Sequence, residues 1–369
     1  MKNSLYIGKI SGIKIFIHWT FLILIAWIVG MGINRGNNFV QIIYSVGFVL
    51  AIFLCVVLHE LGHALTAKRF NYITKDIILL PIGGMSRIDE LPKDPKQELL
   101  VAVAGPLVNI VIAIVLSPFI NWSQINASSL NQFTMNGNNF LLSLFAVNIS
   151  LAVFNLLPAF PMDGGRVFRA LLSIWMDRIR ATAIAARTGQ FIAILFFFLG
   201  LLYNPFLALI GIFIFIMAKA ENDDVKSKYI LHNYKVEDAM SHHYYKIEKT
   251  ATIMDAAKLL IDAESSDFLI TDHEKIIGTL NSDEIIKALV EKGEHVNVSE
   301  AMNNKVKFVT KDIALDEVMK EFSQNKETVM PVMEKNNLIG TVDMNNILKL
   351  IMVDRATQKH SFIKTNETK

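Results

Sequence analysis

Between Leu99 and Met162 the sequence has no Asp, Glu, Lys or Arg, and two further runs, Gly36 to Leu58 and Thr188 to Ala218, are equally free of charge. A water-soluble fold cannot bury so much uncharged chain at once, whereas a bilayer asks for about 20 apolar residues per helix. Six runs meet or approach that length: residues 15–33, 39–65, 98–120, 139–160, 188–203 and 205–219. The last two are separated by Asn204 and Pro205 and read as a hairpin or as one kinked helix. The first is followed by no small-residue cleavage site and is read as a retained helix.

The rest of the chain is of a different kind. Up to Lys219 there are 16 Lys+Arg against 8 Asp+Glu, and in the remaining 150 residues 20 against 26. The expected fold class is a polytopic α-helical membrane domain of about six transmembrane helices at 1–219, then a linker at 220–235 and a cytosolic α/β part. The one cysteine, Cys55, excludes an intramolecular disulfide and a cysteine-rich zinc cluster.

Orientation follows from the lysines and arginines. Lys2, Lys9 and Lys14 precede the first run, Lys68 to Lys96 lie between the second and third, and Arg166 to Arg187 between the fourth and fifth. The loop from Asn121 to Asn139 has no charge. Both termini are therefore expected to be cytoplasmic, in a multi-pass protein of the cell membrane.

Against this background two acids stand out, Glu60 and Asp163. An ionised side chain at membrane depth costs ~2.5–3.5 kcal/mol on insertion scales and is expected to face a partner or a cavity. Glu60 belongs to "HELGH", residues 59–63. On a helix His59 and His63 are four positions apart and share a face, which can hold one metal ion. Glu60 is turned by ~100° from His59, placed to take a proton from water at the metal. Two histidines leave zinc short of the three protein ligands of a catalytic site.

The best third donor is Asp163, in "FNLLPAFPMDGGR", residues 154–166. Pro158 and Pro161 end the fourth helix, and Gly164 and Gly165 remove bulk after the acid. His59, His63 and Asp163 would make an open tetrahedral site, with Glu60 as general base. The ordinary alternatives are solvated surface histidines and, for Asn155, a simple interhelical hydrogen bond; His18 beside Trp19 reads as interfacial, and His242 and His243 as soluble surface. The segment from Asp76 to Glu90, with Pro81, Gly83 and Gly84, reads as a hairpin or re-entrant loop whose free edge could pair with an unwound substrate, or as a plain cytoplasmic loop.

"HELGH" at 59–63, "GGM" at 83–85, "AGPLVN" at 104–109 and "NLLPAFPMDGGR" at 155–166, in that order, resemble the site-2 proteases, intramembrane zinc metalloproteases. The resemblance implies one Zn2+ held by His59, His63 and Asp163, water activated by Glu60, and Asn155 in the active-site motif. It implies membrane-anchored protein substrates and no nucleic acid.

The second part contains a repeat. "VEDAM" at 236–240 returns as "VSEAM" at 298–302, and "IGTL" at 277–280 as "IGTV" at 339–342, both 62 residues on. The units 236–297 and 298–356, each closing on an amphipathic helix (282–292 and 344–353), resemble a pair of CBS domains, and a disordered tail is expected from Thr357. Such pairs often bind adenine nucleotides. Here the usual phosphate and ribose positions are Asn281 and Glu284, then Asp343 and Asn346. Glu284 is a candidate ribose ligand and Asp343 would repel phosphate, so nucleotide binding and a structural or dimer-forming role both stay open.

The reading expected is an intramembrane zinc protease gated or paired through its CBS domains. The alternative is a CBS-regulated transporter or channel in which the same residues line a cation path.

Overall fold

The protein is described here from a computed structural model covering residues 4–367, apart from 82, 89–91, 93, 121, 123–138, 264 and 326. It divides into two compact units, 1–223 and 224–369.

The first unit begins with a hairpin, β1 (Ser4–Ile10) and β2 (Ile13–His18), turned at Ser11 and Gly12, both at positive φ. The expected first span therefore starts as a strand. Ile13, Ile15 and Ile17 alternate with Lys14 and Phe16, and β-branched side chains at a period of two suit a pleated surface better than a helix. Helix α1 (Thr20–Asn34) follows, then α2 (Phe39–Arg69), whose start is fixed by a capping box between Asn38 and Gln41.

A second hairpin, β3 (Thr74–Leu80) and β4 (Gly83–Ile88), completes a sheet of order β1-β2-β3-β4, with β3 parallel to β2 and antiparallel to β4. Its inner face packs Ile13, Ile15, Ile77 and Leu79 against Phe53, Val57 and Leu61 of α2. The expected hairpin at 76–90 is present over the residues described. Helices α3 (Pro95–Leu116), α4 (Phe140–Asn155), α5 (Asp163–Leu172), α6 (Arg178–Tyr203) and α7 (Pro205–Asn233) follow. The uncharged loop expected between the third and fourth runs lies almost wholly outside the described residues.

Among the described residues, four helices are long and apolar enough to cross a membrane: α2, α3, α6 and α7. Helices α1 and α4 are apolar but have 15 and 16 residues, which at ~1.5 Å per residue gives ~22–24 Å, short of a ~30 Å hydrocarbon core. Asn204 and Pro205 separate two helices rather than kink one. A Cβ on Gly200 would strike the backbone of Ala208, and one on Gly211 would lie 2.6 Å from the Ala193 carbonyl oxygen. These two helices thus fold into a tight hairpin. Helix α7 is continuous to Asn233, through the residues expected as a linker, because "AENDDVKSKYILHN" contains no glycine or proline.

In the second unit the repeat is visible in the hydrogen bonding. In the first copy β5 (Lys246–Glu248) runs parallel to β6 (Asp267–Asp272), which pairs antiparallel with β7 (Lys275–Asn281). In the second, Val309 bridges in parallel to β8 (Val329–Glu334), which pairs with β9 (Asn337–Asp343). The copies exchange their leading segments: Ser241 bridges Thr341 and Asn303 bridges Thr279. Each hairpin turns on two residues at positive φ, His273 and Glu274, then Lys335 and Asn336, the backbone that matches strand twist in a two-residue turn.

Each hairpin is backed by helices. The short α8 (Val236–Ala239) packs into the core of the second copy, α9 (Ile253–Asp262) and α10 (Ser282–Lys292) back the first, and α11 (Leu315–Asn325) backs the second. The last helix, α12 (Met344–Glu367), continues past Thr357, where a disordered tail was expected. Adding residues to an existing helix costs far less than nucleating one.

Candidate metal centre

Helix α2 carries His59 and His63 on one face, with ring centroids 4.8 Å apart. Helix α3 crosses that face at two glycines. A Cβ on Gly62 would lie 2.9 Å from the Ala104 carbonyl oxygen; one on Gly105 would overlap the His63 ring and lie 2.7 Å from His59 Nε2. Only backbone this bare lets the helices approach so closely. The approach brings two acceptors to the far sides of the rings, Val101 O at 2.7 Å from His63 Nδ1 and Asn109 Oδ1 at 3.3 Å from His59 Nδ1.

Asp163 reaches the same point from the first turn of α5, where a helix N-terminus favours a carboxylate. Gly164 and Gly165 allow the preceding loop to fold over that turn: a Cβ on Gly164 would collide with the Leu156 and Leu157 carbonyl oxygens, and one on Gly165 would lie 2.7 Å from Phe160 N. All three residues are buried, at 5–8% exposure.

Their donor atoms form a nearly equilateral triangle. His59 Nε2 and His63 Nε2 are 3.1 Å apart, and Asp163 Oδ2 lies 3.2 Å from the first and 3.1 Å from the second. Tetrahedral zinc with bonds of ~2.0–2.1 Å spaces its ligand atoms by roughly 3.3 Å, so the triangle fits. Its chemistry agrees. Val101 O can only accept, so His63 donates from Nδ1, and Asn109 Oδ1 asks the same of His59. Two imidazole lone pairs and a carboxylate oxygen then point at one spot, an arrangement that a cation relieves.

Glu60 is half-buried one residue along α2, beneath the sheet. A Cβ on Gly84 would lie 2.8 Å from Glu60 Cγ. Strand β4 is thus laid across the general base candidate, and it is an edge strand of its sheet. Gly83 opens the strand at φ +141. Asn155 is the last residue of α4, half-buried, its side chain making no hydrogen bond to another described residue.

Sequence reasoning missed the support around the triangle. Val101, Gly105 and Asn109 recur every four residues along one face of α3, the same spacing as the two histidines, and that stripe was the available signal. It also missed Glu98. This residue is 2% exposed, with its Oε1 2.5 Å from Arg169 Nη2 and 2.9 Å from Arg169 Nε.

In the second unit Glu284 closes a capping box with Asn281: Glu284 N donates to Asn281 Oδ1 and Asn281 N to Glu284 Oε2. Burial pushes the Glu284 carboxyl up. Asp343 caps the last helix, its Oδ1 accepting from Asn346 N at 2.8 Å. A second group able to hold a metal, Glu248, Asp272 and His273, is largely exposed, and Lys249 Nζ lies 2.5 Å from Asp272 Oδ2.

The model of peptidase family M50 matches residues 47–132 and 123–198, and that of the CBS domain matches 236–291 and 298–353. A zinc metalloprotease of Methanocaldococcus jannaschii is 32% identical over 354 residues, 96% of this chain and 97% of its own. Stage IV sporulation protein FB of Bacillus subtilis is 33% identical over 142 residues, 38% of this chain and 46% of that one. Among solved structures, a site-2 protease from Methanocaldococcus jannaschii is 38% identical, covering 59% of this chain and 95% of that one at a TM-score of 0.44.

Proposed function

The chain belongs to peptidase family M50 and carries a CBS pair, and we propose that it is an intramembrane zinc endopeptidase whose centre is His59, His63 and Asp163 with Glu60 as general base. The observation that carries this is the convergence of three buried donors from two separate elements, each histidine with its other nitrogen already engaged. Zinc bound there supplies a Lewis acid that brings water to a pKa of ~7 and polarises a carbonyl. The protein's own residues do the rest. Asn109 and Val101 hold the imidazoles in the tautomer that offers Nε2. Glu60 takes the proton of the attacking water and returns it to the leaving amine.

A transmembrane helix hides its carbonyls in its own hydrogen bonds, so the substrate must unwind before it can be cut. The edge of β4 at Gly83 and Gly84 offers it backbone partners directly above Glu60, and Asn155 is placed in this reading to hold its extended backbone. Substrates are membrane-anchored proteins, cut near the cytoplasmic face. Helices α1 and α4 complete a six-helix multi-pass domain at 1–219 with both termini cytoplasmic, and the CBS domains at 236–297 and 298–356 gate it or pair protomers. Glu284, tied into a helix cap, favours the structural role over adenine-nucleotide binding.

The test is to purify the protein and Glu60→Gln in detergent and incubate each with a helical membrane substrate. Both are expected to hold about one zinc per chain, and only the parent to cleave. Cleavage persisting in Glu60→Gln would remove that residue from its role.

A further inference from the structure

Arg169 is the largest fully buried side chain among the described residues, with no measurable exposure. It lies on α5, six residues after Asp163. Its guanidinium is held on three sides. Nε and Nη2 donate to Glu98 Oε1, Nη1 donates to Glu221 Oε1 at 2.6 Å, and Cζ sits 5.0 Å over the ring of Phe160. Arg178 Nη1 adds a contact to Glu98 Oε2 at 3.1 Å and bonds the Pro92 carbonyl at 2.8 Å. Two arginines and two glutamates are thus gathered, Arg169 and Glu98 buried and Arg178 and Glu221 partly exposed, and their charges cancel.

Burial of this kind is a poor way to gain stability, because removing ions from water costs as much as their attraction returns. Its yield is geometric: a planar fork that bonds carboxylates and stacks on a ring accepts one arrangement only. What that arrangement fixes is the metal centre. Phe160 lies three residues before Asp163 and Arg169 six after, so the contact between them closes a clasp around the ligand. Glu98 lies three residues before Val101, whose carbonyl orients His63. One ion pair therefore joins the helix that presents Asp163 to the turn that aligns His63.

We propose that Arg169 and Glu98 are positioning residues of the metal centre, holding Asp163 and the His63 acceptor in mutual register so that the three donors meet. This rests on the zinc reading of His59, His63 and Asp163. The pair touches neither substrate nor the reacting atoms, and its effect is read in how firmly the ion is retained. Glu221 stands on α7, the helix that continues beyond residue 223, and binds the free nitrogen of the same guanidinium.

The experiment compares full-length proteins in detergent by zinc content, by the rate of zinc loss to a chelator, and by the melting point of the zinc-free form. Glu98→Gln/Arg169→Gln removes one charge of each sign, so the cluster stays neutral with Glu221 and Arg178 as its remaining ions. Arg169→Lys keeps the charge but not the fork. Phe48→Ala, a core truncation between α2 and α4, reports on general destabilisation.

Zinc loss at least tenfold faster in the double variant and several-fold faster in Arg169→Lys is expected, with Phe48→Ala at the parent rate despite a lower melting point. Parent-like zinc retention in Arg169→Lys, or in a double variant that still melts cooperatively, overturns the inference. So does faster loss in Phe48→Ala that follows its melting point as the others do. A parent that holds no zinc defeats the site reading itself, and this inference with it.

Discussion

Gly105 lies so close to His63 that the smallest side chain added there would occupy the space of the imidazole. Helix α3 is therefore packed against the histidine pair by bare backbone. Gly105→Ala must displace one helix or both rings, and neither movement preserves the triangle of donors. We expect the variant to lose zinc by a factor of 100 or more in affinity, measured by competition with a chromogenic chelator.

Asn109 supports His59 from the side away from the metal. Asn109→Leu keeps the branched shape and removes the acceptor, freeing the ring to rotate and to change tautomer. Loss of such a partner typically lowers metal affinity ~10–100-fold. Zinc titration should find that loss, with the melting point of the metal-free protein changed by no more than a few degrees.

Gly84 separates the sheet from Glu60, the proposed general base. In Gly84→Ala the new methyl would fall 2.8 Å from Glu60 Cγ and 3.0 Å from Val56 Cγ1, so Glu60 must turn away. Zinc should stay stoichiometric while kcat falls by about 100-fold, the low end of what a general base contributes. This outcome is the reverse of that for Gly105→Ala.

The CBS pair makes a separate prediction about pH. Asp267 is pushed up chiefly by burial, its Oδ1 having no hydrogen-bond partner, and Glu284 is pushed up by burial in the same copy. A carboxyl with a higher pKa folded than unfolded weakens the fold when ionised, so stability rises as pH falls from 7 until the unfolded chain is protonated too, near pH 4. Asp255 and Asp272, held low by Thr252 and Lys249, act in the opposite sense, but only below that range. The melting point of residues 224–369 should rise between pH 7 and pH 5, and Asp267→Asn should be more stable at pH 7 with a flatter profile. Calorimetry across that range checks both.

How much of this was legible in the sequence differs between the two units for physical reasons. Residue types unusual at membrane depth pointed to the candidate site, since Glu60 and Asp163 have no reason to lie there except a partner. The 62-residue offset located the repeat, and the bridges Ser241–Thr341 and Asn303–Thr279 then follow from its symmetry. The strand at 13–18 was lost because Ile13, Ile15 and Ile17 are as apolar as a membrane helix, and hydropathy alone does not see a period of two. Glu98 escaped because it stands at the margin of an apolar run, where an acid usually faces water. Only the fold shows that Arg169, 71 positions later, is folded against it.

X-ray absorption at the zinc edge of the purified protein tests the central claim most directly. The account predicts four nitrogen or oxygen ligands at ~2.0–2.1 Å, with the scattering of two imidazoles and no sulfur, and a changed first shell in Asp163→Ala. A first shell that contains sulfur, or one identical in the parent and Asp163→Ala, would contradict it.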